Sequence, residues 1–207
     1  MTVHGKDLEG AGGLPIAGAR RERADAAANR VRILEAAARV LAERGAEGTS
    51  IDAVACRAGV GKGTIFRRFG DRSGLFQALL DEHLRAFQDA FMFGPPPLGP
   101  GAPPEKRLAS FLDGLLDLQD DHLELTLALE RDRAGAPIGG YLALSVHLES
   151  LIGEISPALD APVTAQLLLN AINVYLVRYL RREAGVSLAT IKASARPLIA
   201  GLGRCRP

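Results

Sequence analysis

Cationic and hydroxyl side chains that can bind phosphate are concentrated in one short stretch of this chain. Positive side chains pair with phosphate oxygens, and arginine can also read guanine through two parallel hydrogen bonds. If the stretch is helical, its apolar residues turn inward and the remaining side chains face outward. The outward set, which suits a negatively charged groove, is Lys62, Gly63, Thr64, Phe66, Arg67 and Arg68.

A pair of short helices joined by a glycine turn is predicted to hold these side chains. Thr49 and Ser50 carry oxygens that can accept hydrogen bonds from the free N–H groups of a starting helix. Gly59 is suited to the left-handed conformation that ends this helix. A second helix over 62–69 would turn Ile65 inward, and Ser73 could cap the helix after it. The pattern predicts a helix-turn-helix, a DNA-binding motif.

The segment from Val31 to Phe91 resembles the DNA-binding domain of TetR-family transcriptional regulators. The order of its parts carries the resemblance: RILEAAARVLAERG, the Thr49-Ser50 helix start, AGVGKGTIFRRF and DRSGLFQALL. It implies an all-α protein with an N-terminal three-helix DNA-binding domain and a C-terminal helical domain for ligand binding and dimerisation.

The resemblance also implies roles for individual side chains. Ser50 and Arg72 would contact phosphates, whereas Lys62, Thr64, Phe66 and Arg67 would face the major groove. Two positions depart from the family pattern. Phe66 stands where tyrosine is usual, so a hydroxyl bond to phosphate is lost, and Arg67-Arg68 replaces an aromatic residue or histidine.

The charge distribution agrees with a DNA-binding N-terminal half. Between Arg20 and Arg72 there are twelve lysines and arginines against seven aspartates and glutamates, whereas the formal net charge of the whole chain is +1. The local excess of positive charge therefore lies at the N-terminal end.

The cysteines and the apolar runs argue against several other classes of protein. Cys56 and Cys205 are far apart and lack zinc-like spacing, so neither a metal site nor a disulfide framework is predicted. No apolar run reaches the roughly twenty residues that a bilayer requires. We expect a cytoplasmic protein without a cofactor and without a membrane segment.

Breaks in helical periodicity divide the chain into four parts. These are a flexible arm (1–23), a DNA-binding domain with its connecting helix at about 73–92 (24–92), a Pro/Gly-rich linker (93–104) and a helical domain (105–203). The first helix is predicted over 25–44, with Gly45 as its stop. The later helices are predicted over 105–119, 122–132, 138–155, 162–184 and 188–201.

The last two predicted helices are the candidates for a dimer contact, because the first of them is apolar on several sides. A dimer would place two recognition helices on an inverted repeat of double-stranded DNA. The predicted interface residues are Leu169, Ile172, Leu176, Leu180, Ile191, Ala195 and Leu198.

A small-molecule inducer that releases the protein from DNA is implied by the resemblance, and its pocket would lie in the C-terminal domain. Asn173 and Arg178 are unusual polar residues in an apolar helix, although hydrogen bonds across a dimer would explain them equally well. The candidate pocket residues are Phe111, Leu115, His122, Thr126, His147, Asn170, Asn173 and Arg178.

Two alternatives to a ligand-released repressor remain open. A ligand-independent activator or an architectural DNA-binding protein would use the same helix-turn-helix. The segment GVGKGT also resembles the end of a phosphate-binding loop of nucleotide-binding enzymes, but that loop should follow a buried strand. We therefore predict no enzymatic activity.

Overall fold

The computed structural model describes residues 16–133 and 141–202, and the regular structure within them is entirely helical, which confirms the all-α prediction. Predictions for 1–15, for the start of the helix at 138 and for 203 lie outside these ranges. No helix in the described ranges is long and apolar enough to span a bilayer. The helices are α1 (Ile16–Gly48), α2 (Ile51–Ala58), α3 (Lys62–Phe69), α4 (Arg72–Phe93), α5 (Pro104–Asp121), α6 (Leu123–Arg133), α7 (Tyr141–Ile155), α8 (Ala161–Ala171), α9 (Val174–Arg178), a π-helical turn (Tyr179–Glu183) and α10 (Leu188–Leu202).

The first helix supports the helix-turn-helix with one apolar face. Ile33, Ala37 and Val40 are fully or almost fully buried in this face, as the helical spacing predicts. Gly45 has φ 68°, so the regular helix is broken there, which confirms the predicted stop. The helix begins at Ile16, however, so residues 16–23 of the predicted flexible arm are helical.

The fourth helix connects the two domains and packs against helices of both. It contacts α1 on the DNA-binding side and α5 and α6 on the other side. Its N-cap is Asp71, whose Oδ1 accepts a hydrogen bond from Gly74 N at 2.7 Å. The prediction that Ser73 caps this helix is therefore wrong. The physical reason is that the carboxylate two residues earlier occupies the position with extended backbone.

The C-terminal domain is built around α5. This helix packs against α7, α9 and α10, and its buried face includes Leu108, Leu112 and Leu116. Three carboxylates on its other face pair with cations from the last elements of the chain. The pairs are Asp113 with Arg196 at 2.8 Å, Asp117 with Lys192, and Asp120 with Arg181 at 2.7 Å.

The single helix predicted over 162–184 is interrupted, so that prediction is wrong in its middle. α8 ends at Ala171, and Asn173 begins α9 with its side-chain oxygen 2.9 Å from Leu176 N. The same amide donates to Asn170 O at 2.7 Å. The side chain of Asn173 thus bonds a backbone carbonyl near the end of α8 and a backbone N–H at the start of α9. These two bonds allow one helix to end and the next to begin. The apolar periodicity of the sequence continues across the break, so the break could not be predicted from that periodicity.

Candidate nucleic-acid interface

The turn between α2 and α3 has the geometry that the sequence predicts. Gly59 is left-handed at φ 64°, and its N–H bonds the carbonyls of Ala55 and Cys56 at the end of α2. Val60 N donates to Ala55 O at 3.0 Å, and the side chain of Val60 packs against the core. These contacts turn the chain within a few residues and fix the direction in which α3 leaves.

The start of α2 assigns different tasks to the two predicted capping residues. Ser50 Oγ accepts a hydrogen bond from Ala53 N at 3.1 Å and is the N-cap. Thr49 instead donates from its hydroxyl to Gly45 O at 2.7 Å, so its predicted capping role is wrong. Thr49 is buried against the bend in α1, which explains why its hydroxyl needs an internal partner.

The third helix presents an outward face of mixed cationic and aromatic chemistry. Ile65 is fully buried and Phe69 packs against the core, so the inward pair is confirmed. Phe66 is 50% exposed although it is a large apolar side chain. Thr64 is half-buried, and the exposed members of the predicted set are Lys62, Gly63, Phe66 and Arg67.

Lys62 forms the one ion pair that links α3 to α2 among the described residues. Its Nζ lies 2.6 Å from Asp52 Oδ2, and both side chains are more than half exposed. An exposed pair of this kind contributes about 0–1 kcal/mol, so a phosphate can replace the carboxylate at little cost. The contact therefore orients Lys62 without removing it from the candidate interface.

Arg68 and Arg72 are turned toward the protein. Arg68 Nη1 donates to Ala26 O in α1. Arg72 donates from Nε to Thr49 O at 3.0 Å and from Nη2 to Ala46 O. These bonds give both arginines a structural role, whereas their predicted contacts with DNA stay predictions.

A cleft of about 380 Å³ lies between the beginning of α1 and the outward face of α3. Asp25, Ala26 and Asn29 line one wall, and Thr64, Arg67 and Arg68 line the other. Asn29 was not predicted from the sequence, because a polar residue in a long amphipathic helix is normally assigned to the solvent-exposed face. Asn29 lies across the cleft from Arg67 and adds a polar group to its lining.

The predicted ligand-pocket residues fall into separate places. Phe111 and His147 belong to an aromatic cluster with Phe87 and Phe91, in which the rings of Phe91 and His147 stack at 4.3 Å and those of Phe111 and His147 lie 5.1 Å apart. Burial, and then the positive charge of Arg107, lower the pKa of His147 to about 4. His147 is therefore neutral near pH 7.

A small cavity of about 20 Å³ brings Leu115 and Thr126 together between α4, α5, α6 and α7. His122 lies elsewhere, with its ring stacked on that of His83 at 3.8 Å. Burial lowers the pKa of both His83 and His122. The pair thus joins α4 to the junction of α5 and α6 as two neutral rings.

The other three predicted pocket residues lie outside this core. Asn170 is exposed and donates to Gln166 O, while Asn173 is the helix cap described above. Arg178 is 2.8 Å from Glu183 and lines an open cleft of about 710 Å³ between the end of α1 and α6. The structure therefore does not bring these residues together with Phe111 or His147.

The predicted dimer residues are also divided. Leu169 and Ile172 are buried in the protomer, although Ile172 also forms part of the wall of an apolar groove. This groove of about 460 Å³ lies between α8, α9 and α10 and is lined by Leu176, Leu180, Ile191 and Ala195, while the side chain of Leu198 is outside the described set. Other large apolar side chains face outward. Val163 and Leu167 on α8 belong to the helix predicted to form the dimer contact, whereas Leu142 and Val146 on α7 were not predicted.

The context of GVGKGT excludes a phosphate-binding loop of the nucleotide-binding type. Residues 59–61 follow α2 and residues 62–64 open α3, whereas that loop requires a preceding buried strand. The same segment is fully explained as the turn and first residues of a helix-turn-helix.

Comparison with known proteins agrees with this geometry. Residues 33–79 match the model for bacterial regulatory proteins of the tetR family. The HTH-type transcriptional repressor BepR of Brucella suis biovar 1 is 27% identical over 186 residues, which cover 82% of this chain and 88% of that protein.

Solved structures share the fold over most of the chain. The fatty acid degradation regulator FadR of Bacillus halodurans superposes with a TM-score of 0.61 at 20% identity, covering 84% of this chain and 98% of that one. FadR of Bacillus subtilis, solved in complex with stearoyl-CoA, gives a TM-score of 0.57 at 23% identity over 82% and 96% of the two chains. The helix-turn-helix matches the tetR family over residues 33–79, and this match and the likeness to BepR support a DNA-binding transcriptional regulator of the TetR type, whose fold the solved structures share.

Proposed function

We propose that this regulator is a homodimeric repressor that binds a palindromic operator and leaves it when a small molecule occupies the C-terminal domain. The observation that carries the proposal is the outward face of α3, where Lys62, Phe66 and Arg67 are exposed above a fully buried Ile65. A rigid helix with cations on its free side fits the major groove of DNA. The likeness to a repressor, BepR, supports the direction of regulation.

Arg67 is the side chain that we expect to contribute most to recognition. It is exposed, and the described part of the chain gives it no hydrogen bond or ion pair. Its guanidinium is thus available for a guanine or a phosphate, unlike those of Arg68 and Arg72. Thr64 on the same helix and Asn29 on the facing wall line the cleft between α1 and α3 with it and would complete a polar surface.

Dimerisation follows from the need to read enough base pairs and from the exposed apolar side chains. One short helix reads few base pairs, whereas two related by a twofold axis read half-sites about 34–36 Å apart. Leu167 and Val163 on α8 are 67% and 54% exposed. We assign the dimer surface to this face of α8, with Leu142 and Val146 of α7 at its side.

Release by a ligand is supported by the position of α4, which packs against both the DNA-binding domain and the C-terminal domain. One end of α4 is capped by Asp71 beside α3, and its other end carries Phe91 in the aromatic cluster. A molecule that enters the core between α4, α5 and α7 must displace α4, which in turn changes the position of α3. FadR of Bacillus subtilis binds an acyl-CoA molecule within the same fold.

Selection of random DNA by the purified full-length protein, followed by sequencing, tests this proposal. We expect an enriched inverted repeat whose affinity falls steeply with salt. Arg67→Ala should weaken binding to the selected site by about 1–3 kcal/mol per half-site. Arg85→Ala, which removes an exposed arginine of α4 paired with Glu82, is the matched control and should bind as the wild type does.

Only weak, sequence-independent binding would overturn the operator proposal and favour an architectural role. Transcription in vitro from a promoter carrying the selected site then separates repression from activation. An increase in transcript on adding the protein would contradict the repressor proposal while leaving DNA recognition intact.

A further inference from the structure

Two buried polar atoms in the C-terminal domain have no hydrogen-bond partner within residues 16–133 and 141–202, and both lie around the same phenylalanine. They are Nε of Arg107 and Nε2 of His147. Arg107 Nη2 reaches Phe91 O at 3.5 Å, and the His147 ring stacks on the Phe91 ring. Buried polar groups are paired in most folded proteins, so two unpaired atoms in one place point to a missing partner.

The guanidinium of Arg107 offers one side of its plane to such a partner. Nε–H and Nη2–H point in parallel along this side; the first has no acceptor and the second has only a long one. No carboxylate among the described residues forms an ion pair with Arg107. Two parallel N–H groups are the geometry that binds a carboxylate through both oxygens.

His147 adds a second polar contact without adding a competing charge. Its neutral ring lies between Phe91 and Phe111, within electrostatic reach of Arg107. A neutral imidazole can donate one hydrogen bond to an oxygen that Arg107 also holds. The surroundings therefore favour a single negative charge at this point.

The surface that continues from this point is mainly apolar, with Gln119 and Thr126 as the polar side chains of the adjoining cavity. Phe111 and Leu115 lie one turn apart on α5, and Leu144 precedes His147 by one turn on α7. Leu115 and Leu144 line the cavity of about 20 Å³. That volume is near the size of one water-sized probe, so a larger apolar group must move α4 away from α5 and α7.

We propose that Arg107 and His147 form the head-group site for a carboxylate-bearing effector, whose apolar body lies along Phe111, Leu115 and Leu144. This assignment rests on the proposed function, because it names the chemical class of the molecule that releases the repressor. The carboxylate accepts two hydrogen bonds from Arg107 and one from His147. The apolar body separates α4 from α5 and thereby couples the site to the DNA-binding domain.

Calorimetric titration of the full-length protein with decanoate and with 1-decanol, which share a chain length, tests the assignment. We expect decanoate to bind at least ten-fold more tightly than decanol. Arg107→Gln should lower the affinity for decanoate at least ten-fold and leave that for decanol unchanged. Lys106→Gln removes the exposed cation next to it and should change neither affinity.

Equal affinities of the wild type for the two molecules would overturn the assignment, as would unchanged decanoate binding by folded Arg107→Gln. If Arg107→Gln does not fold, Arg107→Lys keeps the charge without the two parallel N–H groups and should lose several-fold in decanoate affinity only. Binding to the selected operator is measured in parallel. Operator binding without selective decanoate binding rejects this site alone, whereas decanoate binding without an operator rejects the repressor and retains the site.

Discussion

The arginines that follow one another along α3 and into α4 perform different tasks because their side chains leave the helices in different directions. Arg67 is exposed on the free side of α3, while Arg68 reaches back to α1. Arg72 donates to two carbonyls at the junction of α1 and α2, and its guanidinium lies 4.6 Å from the centre of the Phe76 ring. By charge alone, the three arginines would be equally good candidates for DNA contacts. Their hydrogen-bond partners show that Arg68 and Arg72 stabilise the fold, whereas Arg67 is free to contact DNA.

Replacing Arg72 should therefore destabilise the fold. Arg72→Ala leaves the carbonyls of Ala46 and Thr49 without these donors, and the expected loss in the free energy of unfolding is about 1–3 kcal/mol. Urea unfolding measures the change, and Arg85→Ala, with its exposed pair, should cost less than about 1 kcal/mol. Normal stability together with weaker DNA binding would instead identify Arg72 as a phosphate contact.

His147 should make stability depend on pH. Its pKa in the folded protein is about 4, below the value of 6.5 for an unperturbed histidine, so the unfolded chain binds the proton more readily. The stabilisation is complete above about pH 6.5 and declines as the pH falls toward 4. Because the side chain is partly exposed, we expect a loss of about 1 kcal/mol between pH 7.5 and pH 5.

Urea midpoints of the wild type and of His147→Phe measured across this range test the assignment. The variant keeps a ring in the aromatic cluster but cannot be protonated, so its midpoint should fall less between pH 7.5 and pH 5. His83 and His122 also have lowered pKa values and produce a slope of the same sign in both proteins. Identical slopes for the two proteins would show that His147 does not titrate differently on folding.

Among the elements, those of the DNA-binding domain could be predicted because their signals are local. The helix stops and the inward residues depend only on neighbours a few positions away in sequence. The structure confirms the stops at Gly45 and Gly59 and the inward pair Ile65 and Phe69. Partners that depend on packing could not be predicted. Arg68 bonds a carbonyl 42 residues away in sequence. The charge of Arg107 acts on His147 only because α5 and α7 pack together.

The turn between α2 and α3 offers a direct test of this local control. An added Cβ would meet no atom within 4 Å at either Gly59 or Gly63, so space does not distinguish the two positions. Gly59 is left-handed at φ 64°, whereas Gly63 lies in the first turn of α3. Gly59→Ala should cost about 1 kcal/mol of stability, and Gly63→Ala should stabilise by up to about 1 kcal/mol.

Thermal or urea unfolding of the two variants in parallel gives the comparison. Opposite signs would establish that the backbone conformation of the turn, and not crowding, requires glycine at position 59. Equal effects would contradict the left-handed assignment.

At the scale of the whole molecule, α5 separates two functions of the C-terminal domain. One of its faces meets α4 and α7 around the aromatic cluster, where an effector would act on the DNA-binding domain. The other side is tied to the end of the chain by the ion pairs of Asp113, Asp117 and Asp120. These pairs hold α10 and the π-helical turn against α5, so we expect this side of the domain to stay in place while α4 moves.

The dimer face on α8 should be sensitive to a single charge. Leu167 is 67% exposed in the protomer, so Leu167→Glu leaves the isolated fold intact but places a carboxylate, and its symmetry mate, in an apolar contact. We expect sedimentation velocity to show a dimer for the wild type and a monomer for the variant at the same concentration. Val31→Glu changes an equally apolar residue that is 56% exposed on α1 and should remain dimeric.

Because the two half-sites are bound together only by a dimer, Leu167→Glu should also lose the tight binding to the inverted repeat while keeping the weak binding to one half-site. A variant that stays dimeric would move the contact away from this face of α8.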